Sequence, residues 1–234
     1  MVTTTKHELP AIGRARDLTR TSRNAAGRKP SRKSEIVQER ILDAAAKVFA
    51  TKGYQLAKLS DIANEVGVHV TAIGYHFPTK DTLAEELINS LVSTVHRRVR
   101  ASVEALPEQT PPRDRILAAA TEFLCAILDK TEYITAHGNV VNQVPQEVRD
   151  RHFSLLAAFN GFWRGLVREA CDAGAIRSSV DPSLATQMLM GTLIWTREWY
   201  KPGPKSPAQI AAEIVNTLFD GFAPERNAST EGQR

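Results

Sequence analysis

Residues 41–87 read ILDAAAKVFATKGYQLAKLSDIANEVGVHVTAIGYHFPTKDTLAEEL, and this stretch decides the fold of the N-terminal part of the chain. Its first segment carries apolar residues at helical spacing, among them Ile41, Ala45, Val48 and Phe49. A second helix is predicted over residues 60–66 and a third over 70–76, with Gly67 adopting the positive φ of the tight turn between them. This order of elements predicts a helix-turn-helix.

The ends of the neighbouring helices are also marked in the sequence. Ser34 is the predicted N-cap of the first helix, and Gly53 stands where a helix often ends in a left-handed residue. Thr79 is predicted to cap a fourth helix, whose inner face begins at Leu83. We therefore place a DNA-binding domain at residues 34–80. A plain helical bundle that does not bind nucleic acid is the alternative interpretation.

The third helix of this motif is the one that enters the major groove. Val68 and Ile73 must point inward, so the other side chains of this segment are free to face DNA. Cations and polar groups around the motif are candidates for phosphate contacts. The predicted DNA-binding residues of the head are Lys58, Ser60, His69, Val70, Thr71, Tyr75, His76 and Lys80.

The same stretch resembles the TetR-type transcriptional regulators. The resemblance is carried by Gly53-Tyr54, Ile62-Ala63, Gly67-Val68, His76-Phe77, and Lys80 followed by Leu83. The chain departs from the usual pattern in having Ala57 for Thr, His69 for Ser, Thr71 for a frequent Gly, and Gly74 for Tyr. In the family that Tyr commonly holds a phosphate. The resemblance implies that Tyr75 or Lys58 takes over this contact, or that DNA is held less tightly.

Length and composition fit such a head followed by a larger helical body. The chain has 234 residues, of which 42% are hydrophobic and 24% charged, as in ordinary globular proteins. No apolar run is long enough for a membrane span, and residues 2–8 lack the apolar core of a signal peptide. Cys125 and Cys171 do not form a metal-type pair. We expect a cytoplasmic protein with buried, reduced thiols, no metal and no cofactor.

Positive charge is concentrated at the N-terminus. Residues 1–33 contain nine Lys or Arg against Glu8 and Asp17, a local charge of +7 that leaves −3 of the net +4 for the remainder. This polar composition predicts a disordered arm. For residues 28–33 a second interpretation stands beside it, in which the arm lies along phosphates or enters the minor groove. Arg32 and Lys33 therefore join the predicted DNA-binding residues.

The remainder of the chain is predicted to be helical, so the fold class is all-α. Helices are expected over residues 79–105, 113–130, 132–137, 145–173, 182–200 and 206–219. Gly138-Asn139 is predicted to end the short helix, and Ser206 and Gln209 have the spacing of a capping box. We expect a helical ligand-binding and dimerisation domain at residues 81–222 and a frayed tail at 223–234.

The last two helices are candidates for a subunit interface. The segment 183–200 is apolar on more than one side, and residues 210–219 add an apolar stripe. Such a helix must be covered by the protein's own core or by a partner subunit. A two-fold dimer doubles the base contacts on a palindromic, double-stranded operator. We expect a homodimer, with Leu193 and Leu218 in the interface; burial in the core is the alternative for each residue.

A second, narrower resemblance lies near the C-terminus. Residues 195–202, followed by Ser206 and Ile210-Ala211, resemble the end of TetR-type regulators of fatty-acid and steroid-ring breakdown. Members of that group are often released from DNA by an acyl-CoA thioester. The resemblance implies a repressor of lipid metabolism that a small apolar effector such as an acyl-CoA releases.

The body also offers side chains suited to such an effector. Aromatic residues could wall an apolar cavity, and arginines could bind an anionic group at its mouth. The predicted ligand-binding residues are Phe123, Phe153, Phe159, Phe162, Trp163, Arg164, Arg168 and Trp195. For each of these residues taken singly, core packing or a solvated surface position is the alternative.

Two further functions stay open, and enzyme activity is not expected. The sequence has no Gly-x-Ser-x-Gly, His-Glu-x-x-His, Cys-x-x-Cys or phosphate-binding Gly loop. One alternative is a repressor of a drug-efflux gene that responds to a hydrophobic or cationic drug. The other is a helical adaptor that binds only proteins, which would lack the steep salt dependence of DNA binding.

Overall fold

The computed structural model describes residues 31–221, and every regular element in that range is a helix. The predicted all-α fold class is confirmed. The helices are α1 (Arg32–Leu56), α2 (Leu59–Val66), α3 (Val70–His76), α4 (Lys80–Glu104), α5 (Pro112–Asp129), α6 (Thr131–Val140), α7 (Gln146–Asp172), α8 (Pro182–Trp199) and α9 (Pro207–Asp220). The predicted tail at 223–234 and the predicted arm up to residue 30 lie outside the described residues. The chain divides within α1 into a unit that ends at Gln38 and a unit that begins at Glu39.

Helix α1 differs from its prediction at both ends. It begins at Arg32, and the Oγ of Ser31 accepts a hydrogen bond from the backbone N of Ser34 at 3.3 Å. The predicted cap at Ser34 is therefore wrong, because Ser31 satisfies the free N–H of the first turn. Gly53 leaves helical geometry with a φ of 69°, as predicted, but helical structure resumes and ends at Leu56.

The helix-turn-helix forms as predicted. Helices α2 and α3 pack on each other, and Ile62 of α2 and Ile73 of α3 are fully buried. Gly67 has a φ of 77° and its N–H donates to the carbonyl of Ala63 at 2.9 Å. This left-handed residue ends α2 and lets the chain reverse within three residues, because glycine has no Cβ to oppose a positive φ.

Helix α4 starts in the head and continues into the body. Its predicted cap is confirmed, since the Oγ1 of Thr79 accepts a hydrogen bond from the N of Thr82 at 3.1 Å. Over 25 residues its inner face packs first on the head and then on α5, α6 and α7. The buried residues that mark this face are Leu83, Leu87, Leu91, Val95, Val99 and Val103. One continuous helix therefore connects the two parts of the fold.

The body has a single apolar core formed by α4, α5, α7, α8 and α9. Trp163 is its largest fully buried side chain. Ser206 and Gln209 form the predicted capping box at the start of α9, with both bonds present. Because this capping box forms, α9 begins where the sequence predicts it.

Helix α6 is longer than predicted. It runs through Gly138 and Asn139 to Val140, so the predicted break at this pair is wrong. The Nδ2 of Asn139 donates to the carbonyls of Ala50 at 3.0 Å and Phe49 at 3.4 Å, both in α1. Tyr133 of the same helix donates to Asp43 at 2.8 Å. These contacts and the burial of Val140 outweigh the low helix propensity of a single glycine.

Candidate DNA-binding and effector-binding sites

The exposed side of α3 forms the candidate DNA-reading face. Ile73 is fully buried, whereas Tyr75 is 74% exposed and Val70 and Thr71 also face outward. Tyr75 makes an edge-to-face contact with His76, their ring centroids 5.1 Å apart. The structure thus brings His69, Val70, Thr71 and Tyr75 together on one accessible surface. Their contact with bases stays a prediction.

His69 is the N-cap of α3. Its Nδ1 lies 3.0 Å from the Oγ1 of Thr71 and 3.5 Å from the backbone N of Thr71. An N-cap side chain satisfies a free N–H of the first turn. With Nδ1 as the acceptor, Nε2 carries the proton and remains available as a donor on the exposed face.

Lys80 is engaged within the chain. Its Nζ donates to the carbonyls of Tyr54 at 2.8 Å, Ala57 at 3.2 Å and Gln55 at 3.4 Å. The same ammonium lies 4.4 Å from the centroid of the Tyr54 ring. An ammonium has three donors, so these bonds use all of them. The sequence did not indicate this role, and the predicted phosphate contact of Lys80 would have to compete with it.

Tyr54 adds a second link between α1 and the start of α4. Its hydroxyl donates to the carboxylate of Asp81, the residue after Lys80. Burial, and then the hydrogen bond and charge of Asp81, raise the pKa of Tyr54 well above its usual value. The tyrosine is therefore a neutral donor at any physiological pH. Together Tyr54 and Lys80 hold the end of α1 against α4.

The remaining predicted DNA-binding residues fall into three settings. Lys58 and Ser60 are exposed at the start of α2, where the backbone N of Lys58 donates to Asp61 at 3.0 Å. His76 is half-buried, and its Nδ1 has no hydrogen-bond partner within residues 31–221. Burial lowers the pKa of His76, which favours the neutral ring. Arg32 and Lys33 are exposed in the first turn of α1 and belong to the unit that ends at Gln38.

Four of the predicted effector-binding aromatics form one cluster in the body. The ring of Trp163 lies 5.9 Å from Phe123, 6.2 Å from Phe159 and 6.4 Å from Phe162, centroid to centroid. Trp163 is 0% exposed, and its Nε1–H has no hydrogen-bond partner among the described residues. A buried donor without a partner costs free energy, and a ligand or a water with an acceptor atom would relieve it.

The other predicted effector-binding residues lie apart from this cluster. Phe153 is 48% and Trp195 66% exposed, so neither is part of the apolar core. Arg164 and Arg168 are exposed on the outer side of α7. The structure therefore divides the predicted set between an aromatic cluster in the interior and separate surface positions.

An apolar cavity that the sequence did not reveal lies between α5, α7, α8 and α9. Its volume is about 450 Å³, and none of the predicted ligand-binding residues is among those lining it. The walls come from five separate stretches of the chain, from Ile116 to Gly221. No single stretch has a pattern that could have indicated it.

Helix α8 carries an exposed apolar stripe. Leu184, Met188, Trp195 and Trp199 recur at helical spacing, and all four are more than half exposed. Leu193 lies on the opposite side and is fully buried in the core. The prediction that Leu193 lies in a subunit interface is therefore wrong, because a helix that is apolar all round does not reveal which side faces its own core. Leu218 of α9 is exposed, as an interface position requires.

A pair of histidines connects α6, α7 and α4. The Nε2 atoms of His137 and His152 are 2.9 Å apart, and the Nδ1 of His152 is 2.9 Å from the Oδ1 of Asn89. Burial, and then the charges of His152 and Arg197, lower the pKa of His137 to about 4. Burial also lowers the pKa of His152. With both rings neutral, His152 donates to Asn89 and accepts from His137.

Other site types are absent from the part of the chain that the structure describes. Residues 31–221 hold no group of three or more side chains suited to binding a metal ion. No helix in the same range is both long and apolar enough to cross a bilayer. Cys125 and Cys171 are free and half-buried, and burial raises the pKa of both thiols. Neither cysteine has the features of a reactive thiolate.

Known proteins resemble this chain along most of its length. The HTH-type transcriptional repressor KstR2 of Rhodococcus jostii is 24% identical over 189 residues, which are 80% of this chain and 91% of that protein. The structure of AibR in complex with isovaleryl coenzyme A and operator DNA has a TM-score of 0.67 at 22% identity, covering 78% of this chain and 97% of AibR. The regulator FadR from Bacillus subtilis in complex with stearoyl-CoA has a TM-score of 0.65 at 20% identity, covering 79% of this chain and 99% of FadR. The two structural likenesses establish a shared fold.

Family models match both parts of the chain. The family described as bacterial regulatory proteins of the tetR family matches residues 41–87, the stretch that carries the helix-turn-helix. The tetracyclin repressor-like C-terminal domain matches residues 109–222, which contain α5 to α9. The members are regulators and not enzymes, in agreement with the expectation from the sequence. The chain belongs to the TetR family of transcriptional regulators.

Proposed function

We propose that this protein is a homodimeric, ligand-responsive repressor in the cytoplasm that a small apolar effector of the acyl-CoA class releases from a palindromic operator. The observation that carries the proposal is the long helix α4, which is fastened to the head at its start and buried in the effector-binding body along the rest of its length. The names of similar proteins support two parts of the proposal: KstR2 is a repressor, and the structures of AibR and FadR were solved with isovaleryl coenzyme A and stearoyl-CoA.

DNA binding is assigned to α3 and the turns beside it. His69, Thr71 and Tyr75 contact base edges in the major groove, since they share the exposed side of the helix opposite Ile73. Lys58 contacts phosphate, because its exposed ammonium lies at the start of α2. Arg32 and Lys33 add phosphate contacts from the basic N-terminal segment.

The homodimer forms through α8 and α9. The stripe of Leu184, Met188, Trp195 and Trp199 leaves a large apolar area in water in the single chain. Exposed apolar patches of this kind commonly mark protein interfaces. A two-fold axis through this face pairs two recognition helices, which must be one DNA turn apart or a near multiple to bind a palindrome.

Release follows from movement of α4 relative to α6. An effector in the body displaces the C-terminal part of α4, and Lys80 and Tyr54 transmit this movement to α1. Asn139 of α6 makes a second connection to α1 through the carbonyl of Ala50. The effector must bind the form that cannot bind DNA more tightly. A roughly 100-fold difference corresponds to about 2.7 kcal/mol of coupling per ligand.

The test is fluorescence anisotropy of a duplex from the region upstream of the protein's own gene, with a shuffled duplex of equal length as the control. We expect tight binding of the first duplex with a steep salt dependence. Acyl-CoA should release it, and coenzyme A alone should not. Release by cationic drugs alone would favour a drug-efflux repressor. Equal, weak affinity for both duplexes without a salt slope would favour a protein-binding adaptor.

A further inference from the structure

The apolar cavity between α5, α7, α8 and α9 has the dimensions of a small-molecule site. Its volume of about 450 Å³ lies within the range of roughly 300–1,000 Å³ that ligand pockets occupy. Ile116, Val167, Leu189 and Val215 contribute one wall from each helix, and all four are buried in the body's core. An apolar space of this size is suited to an aliphatic chain.

The loop after α7 closes one side of the cavity and is held by backbone hydrogen bonds. Gly174 adopts a φ of 72°, which turns the chain back over the end of α7. The N–H groups of Ala175 and Ile176 then both donate to the carbonyl of Ala170, at 2.9 and 3.1 Å. Ile176 is thereby fixed in the cavity wall.

The C-terminal end of α9 forms another wall of the cavity and is bound to α5. Arg113 of α5 donates to both carboxylate oxygens of Asp220 at 2.7 Å, and its guanidinium lies 5.5 Å from the ring centroid of Phe219. Phe219 lines the cavity. A bidentate pair fixes direction as well as distance, so this ring has a defined position.

The cavity has a cation at its edge. Among the described residues that line it, Arg177 alone carries a charge. Its side chain is exposed and makes no ion pair within residues 31–221. Its donors are therefore free for a carboxylate or phosphate, which a guanidinium binds through paired hydrogen bonds.

We propose that this cavity holds the aliphatic chain of the effector and that Arg177 binds its anionic group. The ligand class is an acyl chain joined to an anion, either the carboxylate of a fatty acid or the phosphates of a coenzyme A thioester. This inference rests on the proposed function. It places the effector away from Arg164 and Arg168, which the sequence had suggested as anion-binding residues.

The position of the cavity supplies a route from ligand to operator. Met188 and Leu218 line it, and both are also exposed on the face assigned to the dimer. An acyl chain that fills the cavity pushes the side chains of Met188 and Leu218 toward the partner subunit. The angle between the two protomers then changes, and with it the spacing of the recognition helices. This movement adds to the displacement of α4, which packs on the cavity helices α5 and α7.

Calorimetric titration of the full chain with saturated fatty acids of 8 to 18 carbons, and with their coenzyme A thioesters, tests the site. Affinity should rise about fourfold per added methylene until the cavity is full, and then level off. Ala185→Phe fills the cavity from α8 and should shift that limit to shorter chains. Ala157→Phe on the exposed side of α7 is its matched control and should leave the series unchanged.

The anion-binding residue is tested in the same titration. Arg177→Gln should weaken binding of long acyl chains by about tenfold or more, because it removes the charged hydrogen bonds to the anion, and Arg177→Lys should recover part of the affinity. Arg164→Gln and Arg168→Gln should have no effect. If fatty acids bind as tightly as their thioesters, the anion that Arg177 binds is the carboxylate. If the thioesters bind more tightly, the anion is a phosphate of coenzyme A. Both results support the site.

Two results would overturn the inference. One is unchanged affinity in both Ala185→Phe and Arg177→Gln, and the other is a wild-type affinity that does not depend on chain length. Anisotropy of operator DNA in the same samples separates this failure from failure of the proposed function. If acyl-CoA still releases the operator from both variants, the protein is a ligand-controlled repressor whose effector binds at another site. Chain-length-dependent binding without release supports the site and contradicts ligand-controlled repression.

Discussion

The ammonium of Lys80 lies 2.8 Å from the backbone carbonyl of Tyr54, so the first residue of α4 caps the end of α1. The two residues are 26 positions apart in the chain. A helix C-terminus leaves carbonyls without intrahelical partners, and a cation near it is favourable both as a donor and toward the helix dipole. The orientation of the head on α4 therefore depends on this contact.

Lys80→Met should lower the free energy of unfolding by about 1.5–3 kcal/mol, since it removes charge-assisted hydrogen bonds to three carbonyls. It should weaken binding to specific and random duplexes alike, because the head loses its fixed orientation. Urea denaturation and anisotropy at several salt concentrations measure both effects. A salt slope lower by about one unit, with stability unchanged, would instead show that Lys80 contacts a phosphate.

Thr71→Ala should alter sequence preference without altering stability. Thr71 is exposed on α3 beside the capping residue His69, and it makes no contact with the core. Binding to an operator library should change at one base position per half-site, by roughly tenfold or less. Affinity for random duplex should not change. A uniform loss across the library would place Thr71 against the DNA backbone instead.

Trp195→Arg should convert the dimer to monomers and abolish operator binding. The side chain lies on the exposed stripe of α8, so the charge disturbs the interface and not the protomer's core. Sedimentation velocity reports the mass and circular dichroism the helical content, which should be retained. Ala157→Arg, on the exposed side of α7, is the matched control. A fully dimeric Trp195→Arg protein would exclude α8 from the interface.

Leu193→Arg should give a different outcome from Trp195→Arg, although the two residues are neighbours on the same helix. Leu193 is fully buried, and an unpaired charge in the core costs several kcal/mol. The variant should lose helical content or melt far below the wild type, at any protein concentration. A folded monomer would show that Leu193 faces the partner.

Stability should fall as the pH decreases from about 6.5 toward 4. The pKa of His137 is lowered to about 4 in the fold, so the unfolded chain binds more protons in that window and is favoured by acid. Burial lowers the pKa of His152, His96 and His76 as well, which adds to the loss in the same direction. For His137 alone the loss at pH 5.5 is on the order of 1 kcal/mol.

Urea denaturation between pH 7.5 and 5 measures this dependence. His137→Gln keeps a polar side chain beside His152 but does not titrate, so its stability should vary less with pH than that of the wild type. Asn64→Gln, an exposed substitution between two side chains that do not titrate, is the control and should follow the wild type. An identical pH dependence in His137→Gln would show that this histidine is not the group responsible.

The sequence by itself determined the elements whose signals are local. Gly67 ends α2, Thr79 caps α4, and Ser206 with Gln209 caps α9, all as predicted. Each of these helix ends depends on backbone angles or hydrogen bonds within about four residues, so the neighbouring residues in the sequence are enough to predict it. The inward position of Ile73 in α3 was also predicted from its place after the turn, and Ile73 is fully buried.

Only the tertiary structure decided the features that join distant segments. Asn139 stays helical because its side chain donates hydrogen bonds to two carbonyls of α1. These carbonyls are 89 and 90 positions away in the sequence. Leu193 faces the core and Trp195 faces solvent, although both are apolar and stand two residues apart. The cavity has walls from four helices and a loop. Hydrophobic periodicity shows that a side chain avoids water, but the surface that buries it is chosen by how the helices pack.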